Sequence, residues 1–154
     1  MWKEGWRSCA AMVTTQTWTE LPVVTTETTS VAAASDIVSV RHAVRRRAVE
    51  IHLSLVDQTK IVTAASELAR NMLVYAGGGK VTLEVLQDGV RQGLRAHFAD
   101  TGPGIPDLDL ALRDGFTTGS GMGLGLGGAK RLVNEFDIES APGIGTRVSI
   151  TRWK

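Results

Sequence analysis

The sequence predicts an α+β domain: a two-layer sandwich in which one mixed sheet carries its helices on one face. Three observations point there. Two amphipathic helical patterns stand in succession between residues 37 and 76. Two strand pairs follow, with 81–86 returning as 94–99 and 138–140 returning as 146–151. Between those pairs lies a glycine-dense run, Gly119-Ser-Gly-Met-Gly-Leu-Gly-Leu-Gly-Gly128, leading into a third helical pattern. Paired strands separated by helices, without strict β–α alternation, favour this layering.

Each element has its own reason. From Pro22 to Val31 the density of β-branched residues favours a strand, placed at a sheet edge. Ser35 or Asp36 is expected to cap a helix over Ile37–Leu53, whose apolar stripe is Ile37, Val40, Val44, Ala48 and Ile51. Arg41, Arg45, Arg46 and Arg47 crowd its other side, as a solvated face or a docking site for an acidic partner. Asp57 can cap a second helix running to Ala76, with Ile61, Ala65, Leu68 and Met72 inward and Gly77-Gly-Gly79 as its stop. Val81–Leu86 and Leu94–Ala99 read as a hairpin around the turn Gln87–Gly93. The segment Gly102–Gly128 shows little apolar periodicity beyond a short helix near Leu108–Arg113. A helix over Gly128–Phe136 and a closing hairpin around Pro142-Gly143 complete the order β, α, α, β, β, lid, α, β, β.

Composition narrows the function classes. The 154 residues suit one domain, read as 21–154 behind an extension over 1–20 that contains Trp2, Trp6 and Trp18, with Met12 as an alternative start. Hydrophobic residues make up 43% and charged residues 21%, as in ordinary globular chains. A net charge of +1 gives no field for nucleic acid or an anionic membrane. The single cysteine, Cys9, excludes an internal disulfide, and His42, His52 and His97 lack ligand spacing. With neither a spanning apolar run nor a signal pattern, the expected location is cytoplasmic.

Two stretches carry the chemistry. Glu67 and Asn71 are four residues apart, so on a helix they are neighbours on one face. A carboxylate beside a neutral oxygen donor suits a proton acceptor and a hard divalent cation, although two solvated polar residues would look the same. Asp100-Thr-Gly-Pro-Gly104 places a carboxylate where a strand opens into a loop, able to accept from an exocyclic amine. Gly102 and Gly104 remove Cβ atoms there, so that a planar base can lie against backbone, while an ordinary turn also uses Asp, Gly and Pro. Gly123-x-Gly125-x-x-Gly128 matches a dinucleotide fingerprint but follows Phe116-Thr-Thr-Gly-Ser rather than a hydrophobic strand. Gly123 to Lys130 approaches a P-loop, but Ala129 intrudes and no Ser or Thr follows the lysine. What remains is a set of backbone amides feeding a helix, which favours phosphate oxygens.

Taken in order, these motifs resemble the N box (Glu67-x-x-x-Asn71) and the two glycine boxes (Asp100-x-Gly-x-Gly104 and Gly119–Gly127) of the GHKL, or Bergerat-fold, ATPases. Leu53–Gln58, Glu67–Asn71, Asp114–Thr118, Lys130–Leu132, Glu135-Phe136 and Gly145-Thr146 are similar to the RsbT-type serine/threonine kinases of bacterial stress signalling. The resemblance covers about residues 23–154. It implies a Bergerat two-layer sandwich with a glycine-rich ATP lid over about Asp107–Ser120, and ATP and Mg²⁺ as cofactors. Asn71 would bind Mg²⁺ between the phosphates and Glu67 would be the general base. Asp100 would accept the adenine amino group, supported by Thr146, with Gly102 and Gly104 against the base. Gly119, Gly121, Gly123 and Gly125 would bind the nucleotide, the last three closing over its phosphates. The implied partners are STAS-domain proteins, as substrates and scaffold, and a metal-dependent phosphatase activated after release; neither nucleic acid nor membrane is expected. Alternatives are an anti-sigma kinase that binds a sigma factor, and a nucleotide-sensing module without transfer, for which Glu67 would have no use.

Overall fold

The computed structural model describes residues 22–113 and 125–154. Five strands form one sheet: β1 (Val23–Val31), β2 (Gly79–Asp88), β3 (Arg91–Asp100), β4 (Glu135–Ala141) and β5 (Gly145–Trp153), in the spatial order β1-β2-β3-β5-β4. All four pairings are antiparallel, which corrects the expectation of a mixed sheet. The reason lies in the connection after β1. Two helices, α1 (Ala34–Glu50) and α2 (Leu55–Ala76), run out and back, so β2 starts beside the end of β1, with Val31 opposite Gly79. A single crossover helix would have made that pair parallel. β4 does run in the direction of β3, but β5 lies between them.

Local chemistry sets the helix ends. α1 begins one turn earlier than a cap at Ser35 or Asp36 would place it. Asp36 instead sits in the first turn, where its carboxylate accepts the N–H groups of Ala32 (2.8 Å) and Ala33 (2.9 Å). α2 is capped by Ser54, whose Oγ accepts the Asp57 N–H at 3.1 Å, and it ends at Gly77 with φ +76°. The Asp57 carboxylate, expected as the cap, pairs with Arg152 of β5 at 2.5 Å. The hairpin turn is tighter than expected, with only Gly89-Val90 between the strands, and Gly89 takes φ +60°. The short helix α3 spans Leu108–Ala111.

The helix expected over Gly128–Phe136 forms instead as α4, Gly125–Arg131. Leu132–Asn134 turn away, and the Asn134 N–H donates to the Thr151 carbonyl at 2.9 Å, drawing Glu135 and Phe136 into β4. Pairing with β5 overrides the helical spacing there.

Strand alternation gives the sheet two unlike faces. Val81, Leu83, Val85, Leu94, Ala96, Phe98, Ile138, Val148 and Ile150 meet Val40, Val44, Ala48, Ile61, Ala65 and Leu68 from the helices in one buried core. Asp100, Thr146 and Ser140 share this helix-facing side at one end of three adjacent strands, by the registers Asp100↔Thr146 and Ser140↔Thr146. Among the described residues no helix is long and apolar enough to cross a membrane.

Candidate functional site

α2 supplies one wall of the site. Leu68 and Met72 point into the core at 3% and 4% exposure, which turns Glu67 and Asn71 together along the flank. Both are half-buried. The Glu67 carboxylate receives Arg70 Nη2 at 2.6 Å, one turn on, a partner that the sequence reading passed over. The Asn71 side chain makes no hydrogen bond among the described residues, so its amide keeps both donor and acceptor capacity. No three His, Cys, Asp or Glu side chains gather to hold a metal among those residues. A cation there would therefore take Asn71 as one oxygen donor and draw the rest from a ligand and water, as Mg²⁺ commonly does.

The end of β3 supplies the opposite wall. Asp100 Oδ1 accepts the Gly102 N–H at 2.9 Å and the Thr146 N–H at 3.2 Å. Both bonds fall on the same oxygen, and Oδ2 takes none among the described residues. Burial pushes the Asp100 carboxyl above its usual range, and the two backbone N–H groups partly oppose that.

Ser140, fully buried, ties three segments together and was missed in the sequence. Its Oγ accepts the Ile105 N–H at 2.7 Å, lies 3.2 Å from the Gly145 carbonyl and shares a hydrogen bond with Thr146 Oγ1 at 2.9 Å. Thr146 thus supports Asp100 through its backbone, while its hydroxyl faces Ser140.

The glycines of this loop serve the chain's own packing. A Cβ on Gly102 would lie 2.4 Å from the Ala76 Cβ, so Gly102 lets the loop seat on the last turn of α2. That contact is five residues beyond Asn71, roughly 8 Å along the helix. A Cβ on Gly104, at φ +80°, would lie 2.4 Å from the Ala141 carbonyl oxygen. Gly145, named in the sequence only as part of the resemblance, is a further requirement, since its Cβ would strike the Asp100 carbonyl at 2.1 Å. The close approaches account for glycine at all three positions.

Gly125 opens α4 at φ +69°. Gly119, Gly121 and Gly123, and the lid beyond Arg113, lie outside the described residues, as does the extension over residues 1–20.

The chain is similar to known proteins in sequence and in fold. Residues 56–154 match the family described as histidine kinase-, DNA gyrase B- and HSP90-like ATPase. The chain is 45% identical over 118 residues to the serine/threonine-protein kinase RsbT of Bacillus subtilis (strain 168), covering 77% of this chain and 89% of that protein. It is 26% identical over 117 residues to an anti-sigma F factor of Caldanaerobacter subterraneus subsp. tengcongensis, covering 73% and 82% respectively. The solved RsbU and RsbW domains of a Mycobacterium tuberculosis protein align with a TM-score of 0.60 and 24% identity, over 83% of this chain and 32% of that one, which shows a shared fold. The chain belongs to the histidine kinase-, DNA gyrase B- and HSP90-like ATPases, and within them to the RsbT-type serine/threonine-protein kinases. It uses ATP, and it is an enzyme.

Proposed function

We propose that this kinase phosphorylates serine or threonine on STAS-domain partners, in the cytoplasm, as one arm of a bacterial stress-response switch. The released enzyme would then activate a metal-dependent phosphatase. The carrying observation is the seating of Gly102 on Ala76, which sets the Asp100 carboxylate beside the helix that bears Glu67 and Asn71. One ATP then has adenine at the strand end and phosphates toward α2 and α4. Asp100 Oδ2 is the acceptor for the adenine amine, while Oδ1 stays bound to backbone.

Asn71 would hold Mg²⁺ together with the phosphates, and the ion would supply neutralisation of their charge. Glu67 takes the proton of the attacking hydroxyl, and the hydroxyl oxygen bonds to the γ-phosphorus as the bond to ADP breaks. Phosphoryl transfer asks mainly for positioning and charge balance, so these few groups suffice. Gly119, Gly121, Gly123 and Gly125 are proposed as the lid that closes on the phosphates, and residues 1–20 as an extension outside the domain.

The test is incubation with Mg-ATP and a purified STAS protein. Phosphoserine or phosphothreonine should form with the native chain and be lost with Glu67→Gln, while ATP binding persists. Nucleotide binding without transfer to any STAS partner would sink the kinase–STAS assignment. The similarity to an anti-sigma F factor favours a second reading, sigma-factor binding, which a pull-down against both partner classes separates.

A further inference from the structure

We propose that Arg70 is a second catalytic side chain, which lets go of Glu67 and takes hold of the phosphoryl group as it passes to the partner's hydroxyl. The inference rests on the role proposed above for Glu67 and extends that site. Along a helix each residue advances about 100°, so Asn71 stands about 40° to one side of Glu67 and Arg70 about 60° to the other. The flank of α2 is therefore ordered across its width: Asn71, then Glu67, then Arg70. With the phosphates on the Asn71 side, an acceptor hydroxyl that reaches Glu67 arrives beside Arg70. Exposure agrees with this direction of access, since the Glu67 side chain is 14% exposed and that of Arg70 37%.

The guanidinium is only partly engaged. Arg70 Nη2 donates to Glu67 Oε1 at 2.6 Å, and the side chain makes no other bond among the described residues. Its remaining N–H donors keep the planar fork that suits phosphate oxygens. Distance permits the exchange. A hydroxyl in hydrogen-bond reach of Glu67 stands about 3 Å from the carboxylate, and the phosphorus follows one covalent bond further on. That phosphorus lies within roughly 7 Å of the guanidinium, a gap that rotation of a long side chain spans.

Charge accounting drives the move. At rest the Arg70 cation and the Glu67 anion offset one another. As the hydroxyl oxygen bonds to the γ-phosphorus, its proton passes to Glu67. The bond from that phosphorus to the ADP oxygen breaks, and the electron pair leaves with ADP. Glu67 is then neutral, and Arg70 loses its counterion just as a phosphate anion comes to stand beside it. A charge-assisted bond to that anion is stronger than one to a neutral acid, so the cation follows the charge. Neutralising the phosphoryl oxygens in flight lowers the barrier to transfer.

Binding of Mg-ADP with aluminium fluoride, a mimic of the phosphoryl group in flight, tests the proposal without any partner protein. Arg70→Ala should weaken this complex roughly tenfold, while Mg-ADP alone binds as it does to the native chain. A pair this exposed adds little to stability, so the variant should melt near the native temperature. With a STAS protein as acceptor, Arg70→Ala should lower kcat roughly a hundredfold and leave KM for ATP nearly unchanged. Arg70→Lys should recover part of that loss. Added guanidinium ion should restore transfer by Arg70→Ala, a rescue that a merely structural arginine would not show. Native affinity of Arg70→Ala for the fluoride complex would overturn the proposal, as would transfer at the native rate. Absence of transfer by the native chain would instead count against the STAS assignment, and the fluoride complex would still decide the role of Arg70.

Discussion

The Thr146 backbone N–H donates to Asp100 Oδ1 across the β3–β5 pairing at 3.2 Å, joining residues 46 positions apart at the end of the site proposed for adenine. The bond fixes one carboxylate oxygen and leaves the geometry of the other set by the sheet. On the proposed role of Asp100, nucleotide recognition would be a property of two paired strands rather than of a loop alone.

Asp100→Asn should separate binding from stability. ATP affinity is expected to fall at least tenfold by calorimetry, because an amide at this position presents a donor toward the adenine amine. Stability should move the other way. The folded carboxyl titrates above its unfolded value because of burial, so its contribution favours the fold at low pH and is lost as pH rises through the raised value. At neutral pH the variant is therefore expected to melt no lower than the native protein, with any advantage vanishing on acidification.

Asp57→Asn should show the opposite pH signature. Arg152 holds the Asp57 carboxyl below its ordinary range, against the opposing effect of burial. That contribution is present above the unfolded pKa and is lost as pH falls through the lowered one. The side chains are 23% and 16% exposed, so a loss of about 1 kcal/mol at pH 7 is expected by urea unfolding. The gap between variant and native should close as the pH drops below about 4.

Ser140→Ala removes the acceptor of the Ile105 N–H and the hydroxyl that faces Thr146. A loss of about 1–3 kcal/mol is expected, the range for leaving a buried donor unpaired. ATP affinity should weaken as well, since the loop after Asp100 hangs on this bond. Denaturation and nucleotide titration on one preparation check both.

Two glycine replacements make a matched pair. Gly77→Ala meets nothing within 4 Å, and it should cost about 1 kcal/mol for its left-handed backbone alone. Gly104→Ala adds a collision with the Ala141 carbonyl, and it should cost distinctly more, roughly 2–4 kcal/mol. Equal thermal shifts for the two would contradict the packing described for the loop.

Local patterns made most elements legible. The αα hairpin followed from the spacing of Val40, Val44, Ala48, Ile61, Ala65, Leu68 and Met72, all of which are buried. Strand directions were not legible, because they depend on which elements become neighbours. The third helix was displaced for the same reason: Asn134 answers to Thr151, a partner 17 positions later. In the site, Glu67, Asn71 and Asp100 stood out through spacing and strand position. Ser140 and Gly145 did not, since a serine in a strand and a glycine in a turn are common. Their importance comes from what β5 brings against them. Arg70 was legible in principle as an i, i+3 partner of Glu67 and was passed over.

The order β1-β2-β3-β5-β4 has a consequence for how the protein matures. β5 follows β4 in the chain yet lies inside the sheet, wedged between β3 and β4. Until it inserts, β4 has no neighbour and Asp100 has no Thr146. With adenine held at Asp100 as proposed, ribosomes must deliver β5 before the enzyme can hold its fuel. On that proposal a half-made chain would trap no ATP, and acquisition of nucleotide would mark the moment when the sheet has closed.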